Sequence, residues 1–528
     1  MSRRRGEPDS VVAHFDGLRQ DYAFTQSSRY RRRRSGVAAM GSGADYHIRH
    51  ESDYLRGIEQ ARDLERNDVI GGVLLERAET NTVQLGYNLD AKSGDTAIDK
   101  DLEARWLDWA EDPNQCDVAG ELTFHDMEGL TFRSVLRDGD TLALPLEIGS
   151  LQLAEGHRLR TPRNAFRRSE KSKIPVHGIM VDEQRRHLEY WLTRDDIDPS
   201  ASLNNIGDVV KYAARGDDGH KQVFHLCHPK RVSQTRGITA FAPVFDIATM
   251  FEDLNFANLV RAQVASCIAF FRERGEMWTP PGGDSRLGAR ETTTRPDGST
   301  RLTEQLSPGM EVFGEKGEKI HGFSPNLPNP EFFPHVKLIL TLLGVNFGLP
   351  LVLVLLDASE TNFSGWRGAI DQARIGFRRN QKWHKGRFHT PVYRWKVRQW
   401  LAEDSALERA SRRDGINIFG HRWNLPIWPY IEPLKDATAD NLRLANGHTT
   451  PSQFFAERHG RDAAEVYAEM VDDYASAIEY AMKKAAELNG RRSGQPPVHW
   501  RDLLRLPTPQ GVTVDLDALL TEKEEPAA

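Results

Sequence analysis

From Pro243 to Arg274 the sequence describes a helix whose apolar residues run nearly all the way round, at Phe245, Ile247, Phe251, Leu254, Phe256, Leu259, Val260, Val264 and Ile268. After its start no proline interrupts the stretch, and few charges mark a water-facing side. A helix without a polar face needs neighbours on several sides. In a solitary chain it is the central core helix; in an oligomer it packs against its own copies.

A second apolar helix is predicted over about Phe332 to Phe347, and the segment between the two, Gly275 to Pro330, is rich in Gly, Pro, Thr and Glu. With strand-like pieces such as Glu311 to Phe313, it reads as a small β-containing insertion. An unbroken apolar run, Leu349 to Leu356, then leads into a polar loop, Asp357 to Trp366, and from there into a strongly basic helix. Ser, Asn and Gly let such a loop follow a moving surface without a fixed pocket. On the helix Trp366, Ile370, Ala373 and Phe377 fall on one stripe, and Arg367, Arg374, Arg378 and Lys385 on a second.

The first 50 residues carry Arg3 to Arg5 and Arg31 to Arg34 among Ser and Gly, and read as a flexible basic arm. Helices are expected from Asp53 and again through Leu74, Leu75 and Ala78. Strand material is expected from Val83 to Leu153, around a helix at Leu102 to Ala110 in which Trp106 and Trp109 pack. Phe132 to Ile148, with Asp138-Gly139 in its middle, has the signature of a β-hairpin. Asp138 and Asp140 invite a metal reading, but no His or Cys nearby completes a ligand set, and a turn is preferred. Further strands are expected at His177 to Asp182, His187 to Trp191 and Val223 to His228. In the last, His225 and Cys227 share a face and His228 opposes them, so a core strand is preferred over a zinc site. Ile427 to Ile431 is an extended connector, Pro451 sits in the first turn of a helix, and another helix follows from Ala463 to Leu488. The tail from Glu522 is acidic.

Composition narrows the function. With 39% hydrophobic and 28% charged residues in 528, the chain suits packed structure. No run of about 18 apolar residues exists, so no membrane span is expected, and no apolar segment near the start suggests a secretory signal. Three scattered cysteines, Cys116, Cys227 and Cys267, read as thiols of a reducing compartment. A formal net charge of -6 rules out a histone-like coat on nucleic acid, so any DNA contact is local. No phosphate loop, nucleophile elbow, zinc-protease motif or Cys-x-x-Cys pair occurs. No cofactor and no metal is expected, and the chain reads as a structural machine part. The alternative is a DNA-processing enzyme such as a nuclease or recombinase, with the Arg374 to Arg398 cluster as its binding face. A third reading is an adaptor that binds only protein.

Several ordered pieces carry a resemblance. Ala61-Arg-Asp-Leu-Glu-Arg-Asn67 is an early helix motif. Arg231-Val-Ser-Gln-Thr-Arg-Gly237 is followed by Ala242-Pro-Val-Phe245 ahead of the long helix. Asn362-Phe-Ser-Gly-Trp-Arg367 and Trp428-Pro-Tyr-Ile-Glu-Pro-Leu-Lys435 complete the series. Together they resemble the lambda-like portal proteins of tailed bacteriophages, with Phe363 and Gly365 standing where Tyr and Ser are commoner. The resemblance implies an α+β portal-type subunit with wing, α-helical stem, small β-containing clip and α-helical crown, assembled as a ring. After an arm at 1–50 come a wing at 51–242, stem helices at 243–274 and 331–348, and a clip at 275–330. A tunnel-loop region at 349–366, a long wing helix and connector at 367–446, a crown at 447–490 and a tail at 491–528 follow.

It further implies a dodecamer at one capsid vertex through which double-stranded DNA is packaged and ejected. The partners implied are the terminase large subunit, which supplies ATP hydrolysis, a head-completion or adaptor protein and the major capsid protein. The location implied is the virion, with assembly in the host cytoplasm. Asp357, Ser359, Glu360, Thr361, Asn362, Phe363, Ser364 and Arg367 would face the DNA, Arg367 either touching phosphate or bridging to a neighbouring subunit. Phe251, Phe256 and Leu259 would pack the stem.

Overall fold

A computed structural model describes residues 51–162, 173–193, 209–232, 234–273, 290–294, 300–304, 310–314, 332–359, 361–458, 461, 463–491 and 497–504. Helices dominate, with small sheets among them. The expected arm, the acidic tail and most of the insertion lie outside the described residues. Two compact units form: Met1–Ala78 with Arg133–Leu142 and Ala154–Phe377, and Glu79–Phe132 with Ala143–Leu153 and Arg378–Ala528.

In the first unit the Glu51–Asn67 helix buries Tyr54, Ile58 and Ala61. The chain turns at once into Val69–Thr82, with the Asp68 carboxylate accepting the Gly71 N–H at 2.7 Å. Ile174–Val176, Ile179–Val181, His187–Thr193 and Val209–Ala213 form a four-stranded antiparallel sheet in chain order. The Phe245–Cys267 helix is shorter than the predicted 243–274. It ends in the strand Ile268–Glu273, which pairs in parallel with Met310–Gly314. Helical spacing continues through that end. Only the distant partner strand decides the outcome, because strand propensity depends on context. Arg290–Thr294 and Thr300–Glu304 form an antiparallel hairpin, so the insertion does contain strands. The second apolar helix spans Phe332–Phe347, and the chain then folds back into the short helix Leu351–Leu355. That reversal needs Gly344, where a Cβ would stand 2.6 Å from the Leu349 carbonyl oxygen.

The predicted hairpin at 132–148 is overturned. Phe124–Asp138 is a helix, and Gly139, at φ 101°, ends it before the strand Asp140–Pro145. Asp-Gly supplies positive φ equally to a hairpin turn and to a helix terminus. The signal that separates the two is upstream: Phe124, Met127, Glu128, Thr131, Phe132 and Val135 recur at helical spacing, and all are buried. Much of the expected strand material between Val83 and Leu153 is likewise helical, at Thr96–Glu111 and Pro113–Cys116.

The second unit is built on aromatic rings. Trp106 packs against Trp109 and Phe124 at 5.0 Å each, and Phe124 stacks on Phe388 at 5.2 Å. Tyr393 and Trp423 meet Trp106 edge-on. The strand Asn88–Ala91 pairs antiparallel with His421–Asn424. The predicted long helix starts at Phe363, three residues before Trp366. It runs to His384 and continues as Thr390–Glu403 only after a π-helical turn, Lys385–His389. Pro391 explains the turn: it has no N–H to donate, and its ring would collide with the carbonyl of residue 387 in a regular α-helix. Beyond lie Pro433–Ala445, Pro451–Arg458 and Ala463–Arg491.

Candidate nucleic-acid-facing segment and its frame

The segment from Leu356 begins with a left-handed residue, Leu356 at φ 53°, that stops the short helix. Asp357 accepts the Ser359 N–H at 2.9 Å, and the Ser359 hydroxyl, then this N–H, draw its carboxyl below the usual range. The Asn362 side chain accepts from Gly365 N at 2.8 Å, and its carbonyl accepts from Trp366 N at 2.9 Å. Asn362 therefore caps the Phe363–His384 helix. A Cβ on residue 365 would stand 2.7 Å from the Asn362 Oδ1, so glycine there leaves room for the cap.

Asp357, Ser359, Thr361 and Asn362 are exposed ahead of the helix. Phe363 and Ser364 are exposed in its first turn, and Arg367, half-buried, lies one turn further on. Glu360 lies outside the described residues. Ile370, Ala373 and Phe377 are buried, as one stripe of this helix requires. On the Phe245–Cys267 helix Phe251 is half-buried, while Phe256 and Leu259 are 70% and 62% exposed.

The frame of the first unit rests on buried charge. Arg236, 2% exposed, binds the Asp140 carboxylate through Nε and Nη2, and donates to the carbonyls of His177 at 2.8 Å and Gly156 at 2.7 Å. His225 Nε2 lies 3.2 Å from the same carboxylate. Burial alone would raise the Asp140 carboxyl, but Arg236 and His225 hold it well below the ordinary carboxylate range. Gly237 follows because a Cβ there would sit 1.8 Å from the Gly139 carbonyl oxygen. Asp138 is paired by Arg62 at 2.7 Å and by Arg137 at 2.7 Å, and Glu65 by Arg133 at 2.6 Å. Hence neither Asp138 nor Asp140 sits in a hairpin turn, and both are buried partners of arginines. Among the described residues no group of His, Cys, Asp or Glu could hold a metal. The strand at Phe224–Cys227 buries all four residues, as a core strand does.

These contacts show what the ordered sequence pieces do. Arg62 and Glu65 of the first motif, and Arg236 and Gly237 of the second, are locking residues. In the second unit the last motif serves the same end: Tyr430 donates to Asp440 at 3.0 Å, and Pro433 opens the Pro433–Ala445 helix. The sequence profile described as "Phage portal protein, lambda family" matches residues 30–381. The chain belongs to that family. As a portal protein it is the head–tail connector of a bacteriophage and a component of the virion, in a family that is structural rather than enzymatic. No helix among the described residues is long and apolar enough to cross a membrane.

No curated protein matches the chain. Among solved structures it is similar to a chain of the neck of a native GTA particle computed with C12 symmetry. Identity is 12% over 79% of this chain and 96% of the other, with a TM-score of 0.38. For a chain of the neck of an empty GTA particle computed with C6 symmetry, identity is 11% over 75% and 92%, also with a TM-score of 0.38.

Sequence reasoning passed over the Arg236–Asp140–His225 cluster because its members lie far apart in the chain. The one available signal was the run of arginines inside the two portal motifs.

Proposed function

We propose that identical copies of this portal protein close into a ring, a dodecamer by family resemblance, at one capsid vertex, and that double-stranded DNA is packaged and ejected through its axis. Beyond family membership, one observation supports the reading. Met250, Phe256 and Leu259 on the Phe245–Cys267 helix, and Phe333, Leu338 and Val345 on the adjoining Phe332–Phe347 helix, are all more than half exposed. Side chains of this size in water are costly unless a partner covers them, and equivalent faces of neighbouring copies provide the cover.

In this reading the two helices are the stem, residues 275–330 the clip, 51–242 the wing and 447–490 the crown. The 357–365 segment is the tunnel loop. Its hydroxyls and amides, at Ser359, Thr361, Asn362 and Ser364, offer weak exchangeable hydrogen bonds to a passing backbone, with Arg367 behind them. A channel must not grip one phosphate register, since a deep well would stall movement. The ring docks the terminase motor, which hydrolyses ATP, then the head-completion or adaptor protein, within the shell of the major capsid protein. The subunit itself carries no catalytic role.

Negative-stain electron microscopy of the purified protein tests this directly. Rings with a central hole are expected, and a compact solitary particle would refute it. Phe256→Glu is expected to abolish ring formation on size-exclusion chromatography, and intact rings from that variant would remove the helix from the interface.

A further inference from the structure

Between Asp371 and Glu403 the chain carries nine arginines and lysines and no carboxylate, in a protein whose net charge is -6. Some of these cations have internal work. Arg378 lies 5.8 Å from the Trp428 ring centroid, and Lys396 is buried against Trp109 at 5.2 Å and donates to the Gly149 carbonyl at 3.0 Å. Others do not. Lys382 and Arg394 are exposed, Lys385 is half-buried, and none of the three has a carboxylate within salt-bridge reach among the described residues.

Their grouping is three-dimensional. Arg378 and Lys382 share one face of the Phe363–His384 helix at i and i+4, and Lys385, the first residue of the π turn, follows three residues on. The strand His421–Asn424 packs on the same stretch of chain, the His421 ring 4.6 Å from that of Tyr393 and its Nε2 3.4 Å from the Thr390 hydroxyl, and it carries the exposed Arg422 there. Burial, and then the neighbouring charges of Lys382 and Arg422, lower the affinity of Lys385 for its proton. His421 is lowered by burial and, more weakly, by Arg394 and Lys385. Like charges crowded this way destabilise the chain unless an anion sits among them.

Two features select the anion. A protein interface is centred on several apolar or aromatic anchors, and here one large hydrophobic side chain, Ile375, is exposed at the end of the row, with none from 376 to 433 among the described residues. A row of cations with a single apolar neighbour at its end suits a polymer of evenly repeated charge.

We propose that Lys382, Lys385, Arg394 and Arg422 form a second nucleic-acid contact, a sequence-indifferent seat for the phosphate backbone of double-stranded DNA, separate in the chain from the 357–365 segment. This rests on the portal reading, in that DNA is the polymer at hand, but not on the channel. Contacts of this kind read no bases and hold by counterion release.

The test is fluorescence anisotropy with a linear duplex and with covalently closed circular DNA, which cannot thread a closed ring, from 50 to 200 mM salt. The full-length protein is compared with the Lys382→Gln/Lys385→Gln/Arg422→Gln variant, and with Lys382→Gln/Arg422→Gln, which spares the half-buried lysine. Wild type is expected to bind both DNAs. In the triple variant the slope of log affinity against log salt is expected to fall by about 2.7, roughly 0.9 per lost phosphate contact. The double variant should lose about two thirds of that.

An unchanged slope in either folded variant overturns the proposal. So does wild-type binding to linear DNA alone, which would leave the channel reading standing. Binding of polyglutamate in preference to DNA overturns it in favour of an acidic protein partner. Loss of circular-DNA binding in the variants supports it even if no rings are seen, the outcome in which the channel reading fails alone.

Discussion

One region of the first unit and one of the second treat their large apolar residues in opposite ways. In the second, Trp106, Trp109, Phe124, Phe388 and Tyr393 are all nearly or fully buried and stack on one another. In the first, buried charge around Arg236 and Arg62 locks the frame, while Phe256, Leu259 and Val345 remain in water. A closed aromatic core stabilises its own unit whatever surrounds it. Exposed apolar helices gain only when something covers them, so the same residue type carries folding energy in one place and, in the proposed ring, would carry assembly energy in the other.

The sharpest way to break this contrast is to cut the two frames. Trp109→Ala is expected to cost about 3–5 kcal/mol of stability through cavity formation and loss of the Nε1 hydrogen bond to Gly149, measured by urea unfolding. Arg236→Ala is expected to cost a comparable 3–5 kcal/mol, because it strands a buried carboxylate. A loss below about 1 kcal/mol in that variant would show that Asp140 finds another partner.

Acid should act on the first unit through a further carboxylate of the same frame, Glu155, which Arg62 also reaches at 2.8 Å. Glu155, hydrogen-bonded by His157 and, against the effect of burial, attracted by Arg62, is lowered from 4.5 to about 2. A group depressed on folding contributes stability above its unfolded pKa and loses it as pH falls through the folded one. Stability should therefore drop between about pH 5 and pH 2, and His157→Ala should shift that fall toward higher pH in a circular-dichroism titration. Smaller still, Asn362→Ala should cost about 1 kcal/mol by uncapping its helix, read as faster hydrogen exchange at Gly365 and Trp366. Least of all, Phe256→Ala should change the stability of the unassembled chain by no more than about 0.5 kcal/mol, even though Phe256→Glu is expected to prevent ring formation. A large loss from Phe256→Ala would place that side chain in a core and erase the contrast.

Much of the architecture was legible because it is periodic. The apolar helix Phe332–Phe347, the buried stripe Ile370–Ala373–Phe377, the helix start at Pro451 and the strand at Met310–Gly314 all follow from spacing and turn chemistry. What failed to show was decided by distant residues or by ambiguous local ones. Asp138-Gly139 fits two kinds of chain reversal, and the end of the long helix depends on a strand about 40 residues later. In the candidate site, the exposed polar stretch was evident from composition. Its capping by Asn362, and the packing of the His421–Asn424 strand against Thr390 and Tyr393, were not, because side-chain geometry and non-local proximity leave no trace in spacing.

The π turn at Lys385–His389 acts as an expansion joint in a rod of some forty residues. Upstream, Gln381 and His384 point inward, and downstream so do Val392, Tyr393 and Trp395. One residue of slack admits Pro391 while both inward sets stay aligned. Excising Gly386 would let the turn close as an ordinary α turn, leaving the later side chains on the same face but driving the Pro391 ring against the carbonyl four positions before it. The helix is in effect two keyed shafts joined by a fixed coupling, and the clearance between them is written into a single extra residue.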